Sequence, residues 1–88
     1  MNFSSPKQLL KIGEVANITG LPVKTIRYYE EIGLLVPVVE RSETGYRLFH
    51  DQILNRLAFI KRAQSLGLSL NEIKAILQVH DQGRASLW

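Results

Sequence analysis

Cysteine is absent from this 88-residue sequence. That removes disulfides, thiolate metal sites and a cysteine nucleophile together, and it suits a reducing, cytoplasmic setting without requiring one. Histidine is scarce: there are two, and two lone histidines make no metal site. No apolar run approaches the roughly 18 residues that a membrane span requires, so the chain reads as soluble, with no membrane partner. The opening MNFSSPKQLLK has no long apolar stretch followed by a small-residue cleavage site, and so does not read as a secretory signal. Net charge is small as well, since eleven Lys and Arg against eight Asp and Glu give +3, with a pI near 9.5. Taken alone, that balance describes a mildly basic solvated surface; it selects a polyanion only if the basic groups share one face. Internal repeats and low-complexity segments are missing too. The length allows one small domain, near the size at which a single core holds a fold together.

What is present is organised by period. Apolar residues make up 45% of the chain, enough for a compact core. Ile12, Val15, Ala16 and Thr19 recur at helical spacing and Gly20 follows them, which predicts a first helix over about 12–18. Pro22 then suits the start of a second helix and Gly33 its end. Two short helices joined by a glycine-containing turn are the signature of a helix-turn-helix. LLVPVVERSETGYRLF changes character: β-branched and aromatic residues flank a turn-rich centre, predicting a two-stranded hairpin with its tip near 41–45 and Pro37 confining the first strand to an edge. Asp51 is a candidate cap for a third helix whose inner stripe is Ile53, Leu57, Ile60 and Leu66, with Leu54 and Ala63 beside them and Gly67 at its end, and with Gln52, Asn55, Arg56, Lys61, Arg62 and Gln64 on the wet side. Ser69 and Glu72 form a capping box, with Leu68 and Ile73 as its hydrophobic staple, opening a fourth helix over about 70–79.

The chemistry gathers on the second helix, KTIRYYEEIGLL. Val23, Ile26, Tyr29 or Glu30, and Gly33 share an inner face, while Lys24, Arg27, Tyr28 and Glu31 share the opposite one. A long cation, a guanidinium and a phenol on the free side of a helix that follows a tight turn suit docking on nucleic acid. Taken in isolation, a solvated face with one core tyrosine accounts for the helix equally well. Glu31 fits DNA poorly and is expected to pair with a nearby base. Tyr46 and Arg47 add a phosphate-binding pair beside the hairpin tip, although strict strand alternation puts them on opposite faces. Packing under the hairpin is the other reading of Tyr46. Lys61 and Arg62 add cations on the third helix, where plain solubilisation is the commoner role. Cations from three separate segments tip the balance toward nucleic acid.

The stretches KIGEVANITGLPVKTIRYYEEIGLL, ETGYRLF and LAFIKRAQSLGLSLNEIKAIL, in that order and spacing, resemble the amino-terminal domain of the MerR family of bacterial transcription regulators from about Leu10 to Val79. The resemblance implies a mostly α winged helix-turn-helix of four helices with a small two-stranded hairpin. In it the first two helices read DNA, the hairpin is one wing, and helices three and four form a second. By position it implies that Lys24, Thr25, Arg27 and Tyr28 lie in or beside the major groove. Tyr46 and Arg47 would hold the backbone from the first wing and Arg62 from the second. It further implies a homodimer on promoter DNA, in the cytoplasm at the nucleoid, that bends and untwists a promoter with overlong spacing when an effector binds, so that RNA polymerase engages indirectly.

Chains of that family continue into a long dimerisation helix and an effector module. The expected division here is a flexible tail over 1–9, the winged domain over 10–80, and the start of a linker over 81–88. The 88-residue chain is accordingly expected to be a monomer or weak dimer. No metal or other cofactor is expected, since members with a similar GRA segment place a cysteine soon after it and GRASLW has none. An enzyme is not expected: the acid–base candidates, His50 with Asp51 and His80 with Asp81, are sequence neighbours at helix ends, where a surface His and a capping Asp are the ordinary explanation. The rival reading is an architectural DNA-bending protein of the excisionase type, which has a similar small winged fold. A protein-interaction module resting on Leu87 and Trp88 comes third.

Overall fold

The computed structural model describes residues 9–83, so residues 1–8 of the tail expected over 1–9, and 84–88 of the linker expected over 81–88, lie outside the described residues. The described chain enters through a two-residue strand, β1 (Leu9–Leu10), and turns into helix α1 (Ile12–Thr19). The Glu14 carboxylate accepts from the Lys11 N–H at 2.8 Å. Helix α1 stops at Gly20, whose φ of +75° is left-handed and whose N–H donates to the Ala16 carbonyl at 2.8 Å. The Thr19 hydroxyl closes the turn: it donates to the Val15 carbonyl at 2.7 Å and accepts from the Leu21 N–H at 3.2 Å. Pro22 (φ −62°) then caps helix α2 (Val23–Glu31), its carbonyl accepting from the Thr25 and Ile26 N–H groups. The helix-turn-helix expected from Gly20 and Pro22 is present. Helix α2 buries Ile26 and Tyr29 and leaves Lys24, Arg27, Tyr28 and Glu31 exposed, as the spacing requires.

Beyond α2 the chain buries Leu34 and Leu35 completely and makes one 3₁₀ turn, Val36–Val38, around Pro37. Strands β2 (Val39–Arg41) and β3 (Arg47–His50) form the expected hairpin, with Val39 opposite Phe49 and Arg41 opposite Arg47. The sheet also has a third strand. β1 pairs antiparallel with β3, Leu9 opposite His50 and Leu10 opposite Phe49, giving the order β1-β3-β2. Two residues are too few to register a period-two pattern, which is why the sequence reading has Leu9 in a tail.

Helix α3 (Ile53–Ser65) corrects three expectations. Asp51 does not cap it with its carboxylate. Gln52 holds the cap position in a helical conformation (φ −59°, ψ −17°), not the extended one that folds a capping side chain back, and Asp51 contributes only its carbonyl, to the Leu54 N–H at 3.1 Å. Leu66 is 71% exposed, because the helix ends one residue before it, while Ala63, expected beside the stripe, is buried with Ile53, Leu57 and Ile60. Arg56 is not on the wet side but is 2% exposed. It stands three residues after Ile53 and four before Ile60, so helical geometry sends it inward with them.

Helix α4 (Leu70–Asp81) opens with the expected capping box: the Glu72 N–H donates to Ser69 Oγ at 3.1 Å and the Ser69 N–H to Glu72 Oε1 at 2.8 Å. Ile73 is fully buried and Leu68 packs against the same core. That core is shared by all four helices and the sheet through Val15, Ile26, Phe49, Leu57, Ile60 and Leu77. No described helix is long and apolar enough to cross a membrane.

Candidate nucleic-acid interface

The first turn of α1, the outer face of α2 and the hairpin tip frame an open cleft of about 680 Å³. Lys11, Asn17, Arg27, Tyr46 and Arg47 line it together with Glu14, whose carboxylate is engaged by the Lys11 N–H. Cations from the entry to α1, from α2 and from β3 therefore face one concavity, an arrangement suited to a polyanion. The tip that carries Tyr46 is held by its own backbone and by Ser42. The Ser42 N–H donates to the Tyr46 carbonyl at 2.9 Å, Ser42 Oγ accepts from the Tyr46 N–H at 3.0 Å, and Arg41 Nη1 donates to the Gly45 carbonyl at 3.2 Å. Gly45 has φ +88°, a conformation in which any L side chain is strained. Tyr46 is 71% exposed and so does not pack under the hairpin. It precedes the first residue of β3, so strand alternation does not govern it, and Tyr46 and Arg47 border the same cleft instead of opposite faces.

Arg47 is tied to α2. Its Nε lies 2.6 Å from Glu30 Oε2, with the side chains 45% and 19% exposed respectively. A smaller cleft of about 270 Å³ adjoins the pair, lined by Arg27, Glu30, Glu31 and Arg47. The acid that takes the arginine is Glu30, one position before the Glu31 that the sequence suggests.

Tyr28 is half exposed, while its neighbour Tyr29 is buried and donates its hydroxyl to Gln64 Oε1 at 2.9 Å, fastening α2 to the last turn of α3. Burial foremost, and then the adjacent Tyr28 phenol, push the Tyr29 hydroxyl above its ordinary pKa. The other expected residues are more dispersed. Lys24 is exposed and Thr25 half-buried at the start of α2, outside the cleft lining, and Arg62 stands exposed on α3 beside Lys61. Lys61 itself borders an apolar groove with Ile18, Leu21 and Ala58. The structure thus brings together Arg27, Tyr46 and Arg47 and does not bring Lys24, Thr25, Tyr28 or Arg62 into the same concavity. Lys11 and Asn17 are cleft residues that the sequence reading passes over; a lysine immediately before a helix start was the available signal.

The two histidine–aspartate neighbours are not the surface-and-cap pairs expected of them. The His50 side chain is 15% exposed, with Nε2 3.5 Å from Glu40 Oε1 and Nδ1 lacking a hydrogen-bond partner among the described residues. Asp81 pairs with Arg56.

The model of the MerR HTH family of regulatory proteins matches residues 10–79. The chain belongs to the MerR family. It is 51% identical over 75 residues to the mercuric resistance operon regulatory protein of Bacillus cereus, an overlap of 85% of this chain and 56% of that one. It is 44% identical over 78 residues to the HTH-type transcriptional regulator HmrR of Sinorhizobium medicae, covering 88% and 52%. With the HTH-type transcriptional regulator CueR of Vibrio cholerae the identity is 42% over 78 residues, covering 88% and 55%. Among solved structures, HiNmlR, a MerR family regulator lacking the sensor domain and bound to promoter DNA, superposes with a TM-score of 0.76 at 28% identity, covering 88% of this chain and 65% of that one. The chain thus has the MerR-family winged helix-turn-helix fold, and it spans about half the length of the curated relatives it matches.

Proposed function

We propose that this chain is the duplex-DNA-binding domain of a MerR-like transcription regulator, reading a promoter operator in a sequence-specific way. The observation that carries the reading is the convergence of Lys11, Arg27, Tyr46 and Arg47 on one open cleft between the helix-turn-helix and the hairpin. In this reading the outer face of α2 enters the major groove with Lys24, Thr25, Arg27 and Tyr28, while Tyr46 and Arg47 grip the phosphate backbone from the hairpin and Arg62 does so from α3. Arginine suits the backbone contacts because its planar fork meets a phosphate through two parallel N–H bonds. The promoter DNA bound by HiNmlR supports the same class of partner.

The regulator acts as a homodimer on two half-sites, distorts the promoter in response to an effector sensed outside these 88 residues, and reaches RNA polymerase through the altered DNA. Its setting is the bacterial cytoplasm. The test is a salt titration of duplex binding. Each phosphate neutralised by Lys24, Arg27, Arg47 or Arg62 contributes about −0.9 to the slope of log K against log salt. Affinity that stays flat from low to moderate salt would rule the reading out.

A further inference from the structure

A carboxylate beside a surface that meets DNA is an electrostatic penalty, because the phosphates repel it. Glu30 occupies such a place. It lies one turn after Arg27 on α2, 19% exposed, with Oε2 2.6 Å from Arg47 Nε. The contact engages the Nε edge of the guanidinium. Nη1 and Nη2 make no hydrogen bond to any described residue, and Arg47 lines both of the clefts it shares with Arg27. With Nε taken, those two nitrogens remain as a fork of the shape that a phosphate accepts. An untethered arginine beside the tip of a hairpin would have to surrender its rotamer freedom on binding, whereas one already clamped gives up less.

Resting on the DNA-binding reading above, we propose that Glu30 is a positioning residue: it clamps Arg47 across the gap between α2 and β3 and presents Nη1 and Nη2 to a backbone phosphate. An incidental surface ion pair has the opposite signature. Removing the acid would then raise affinity for every duplex alike, since only repulsion is lost. A clamp has a selective one. Phosphate contacts fix register and orientation, so misalignment is felt most where base edges are being read.

The test uses the full 88-residue chain. One duplex is enriched from a randomised library by the wild type, and its shuffled sequence serves as the non-specific reference. Glu30→Gln removes the charge at nearly constant shape. Its affinity for the shuffled duplex is expected to hold or rise while that for the enriched duplex falls, lowering the ratio by roughly fivefold. Glu30→Asp, which keeps the charge but shortens the reach, should lower the ratio as well, and it replaces Glu30→Gln if that variant folds poorly. In an Arg47→Ala background neither substitution should move the ratio. An equal rise for both duplexes, or the same loss without Arg47, overturns the inference while leaving DNA binding intact. Failure of the wild type to enrich any duplex overturns the DNA-binding reading and the inference with it.

Discussion

Arg56 and Asp81 meet as a bidentate ion pair, Nη1 to Oδ1 at 2.8 Å and Nη2 to Oδ2 at 2.9 Å, while Arg56 Nε donates to the Leu34 carbonyl. One side chain thereby joins the first turn of α3, the connection that leaves α2 and the last residue of α4. The Arg56 side chain is 2% exposed and that of Asp81 27%. A guanidinium buried so deeply is tolerated only while its partners remain, so the pair matters most through what happens when half of it is removed.

Asp81→Ala is expected to destabilise the domain by about 3 kcal/mol, toward the low end of the range for an orphaned buried charge because water reaches the aspartate side. Replacing both partners, Arg56→Met with Asp81→Leu, should recover most of that loss. Urea unfolding of the single and double variants measures it. If the double variant is no more stable than Asp81→Ala, the penalty lies in lost packing and not in the stranded charge.

Arg27→Ala should leave stability within about 0.5 kcal/mol of wild type, since its side chain is exposed on α2. Duplex affinity should fall, and the salt slope should become shallower by about 0.9. A variant that melts early, with affinity per folded molecule unchanged, would make Arg27 structural and remove it from the interface.

The Tyr29 hydroxyl, held above its ordinary value of 10.0 by burial and then by Tyr28, predicts an alkaline weakness. Below pH 10 folded and unfolded chains both keep the proton, and the contribution to stability is complete. Above that pH the unfolded chain ionises first, so stability declines until the folded-state value is passed. Tyr29→Phe should lose about 1 kcal/mol at neutral pH with the Gln64 hydrogen bond, and should then decline less steeply with alkali than the wild type. Thermal melts of both proteins across the alkaline range decide the matter; parallel curves would count against it.

Elements announced by neighbouring residues were legible in the sequence. Gly20 with Pro22, and Ser69 with Glu72, are local signals, and the stripe of Ile53, Leu57 and Ile60 is a period that any helix must honour. What escaped depends on partners far along the chain. Arg56 has its inward position written in the spacing, but the hydrogen bonds that make burial tolerable come from Leu34 and Asp81. Glu30 and Arg47 belong to different elements, and helical phase separates Glu30 from Glu31 without saying on which side of α2 strand β3 will lie. The common concavity of Tyr46 and Arg47 depends on where the turn ends and β3 begins, which is the least readable feature of a hairpin.

Strand β3 is the middle of its sheet, with the hairpin partner on one edge and Leu9 and Leu10 on the other, and its Phe49 is fully buried. A free-standing hairpin would behave as a limp appendage, bending at its root under any sideways load. Here a load at the tip passes along β3 into a second line of backbone bonds and into the core beneath it. The hairpin is in mechanical terms a stiff lever. Force applied to it by curved DNA would be delivered to the helices and not absorbed at a hinge.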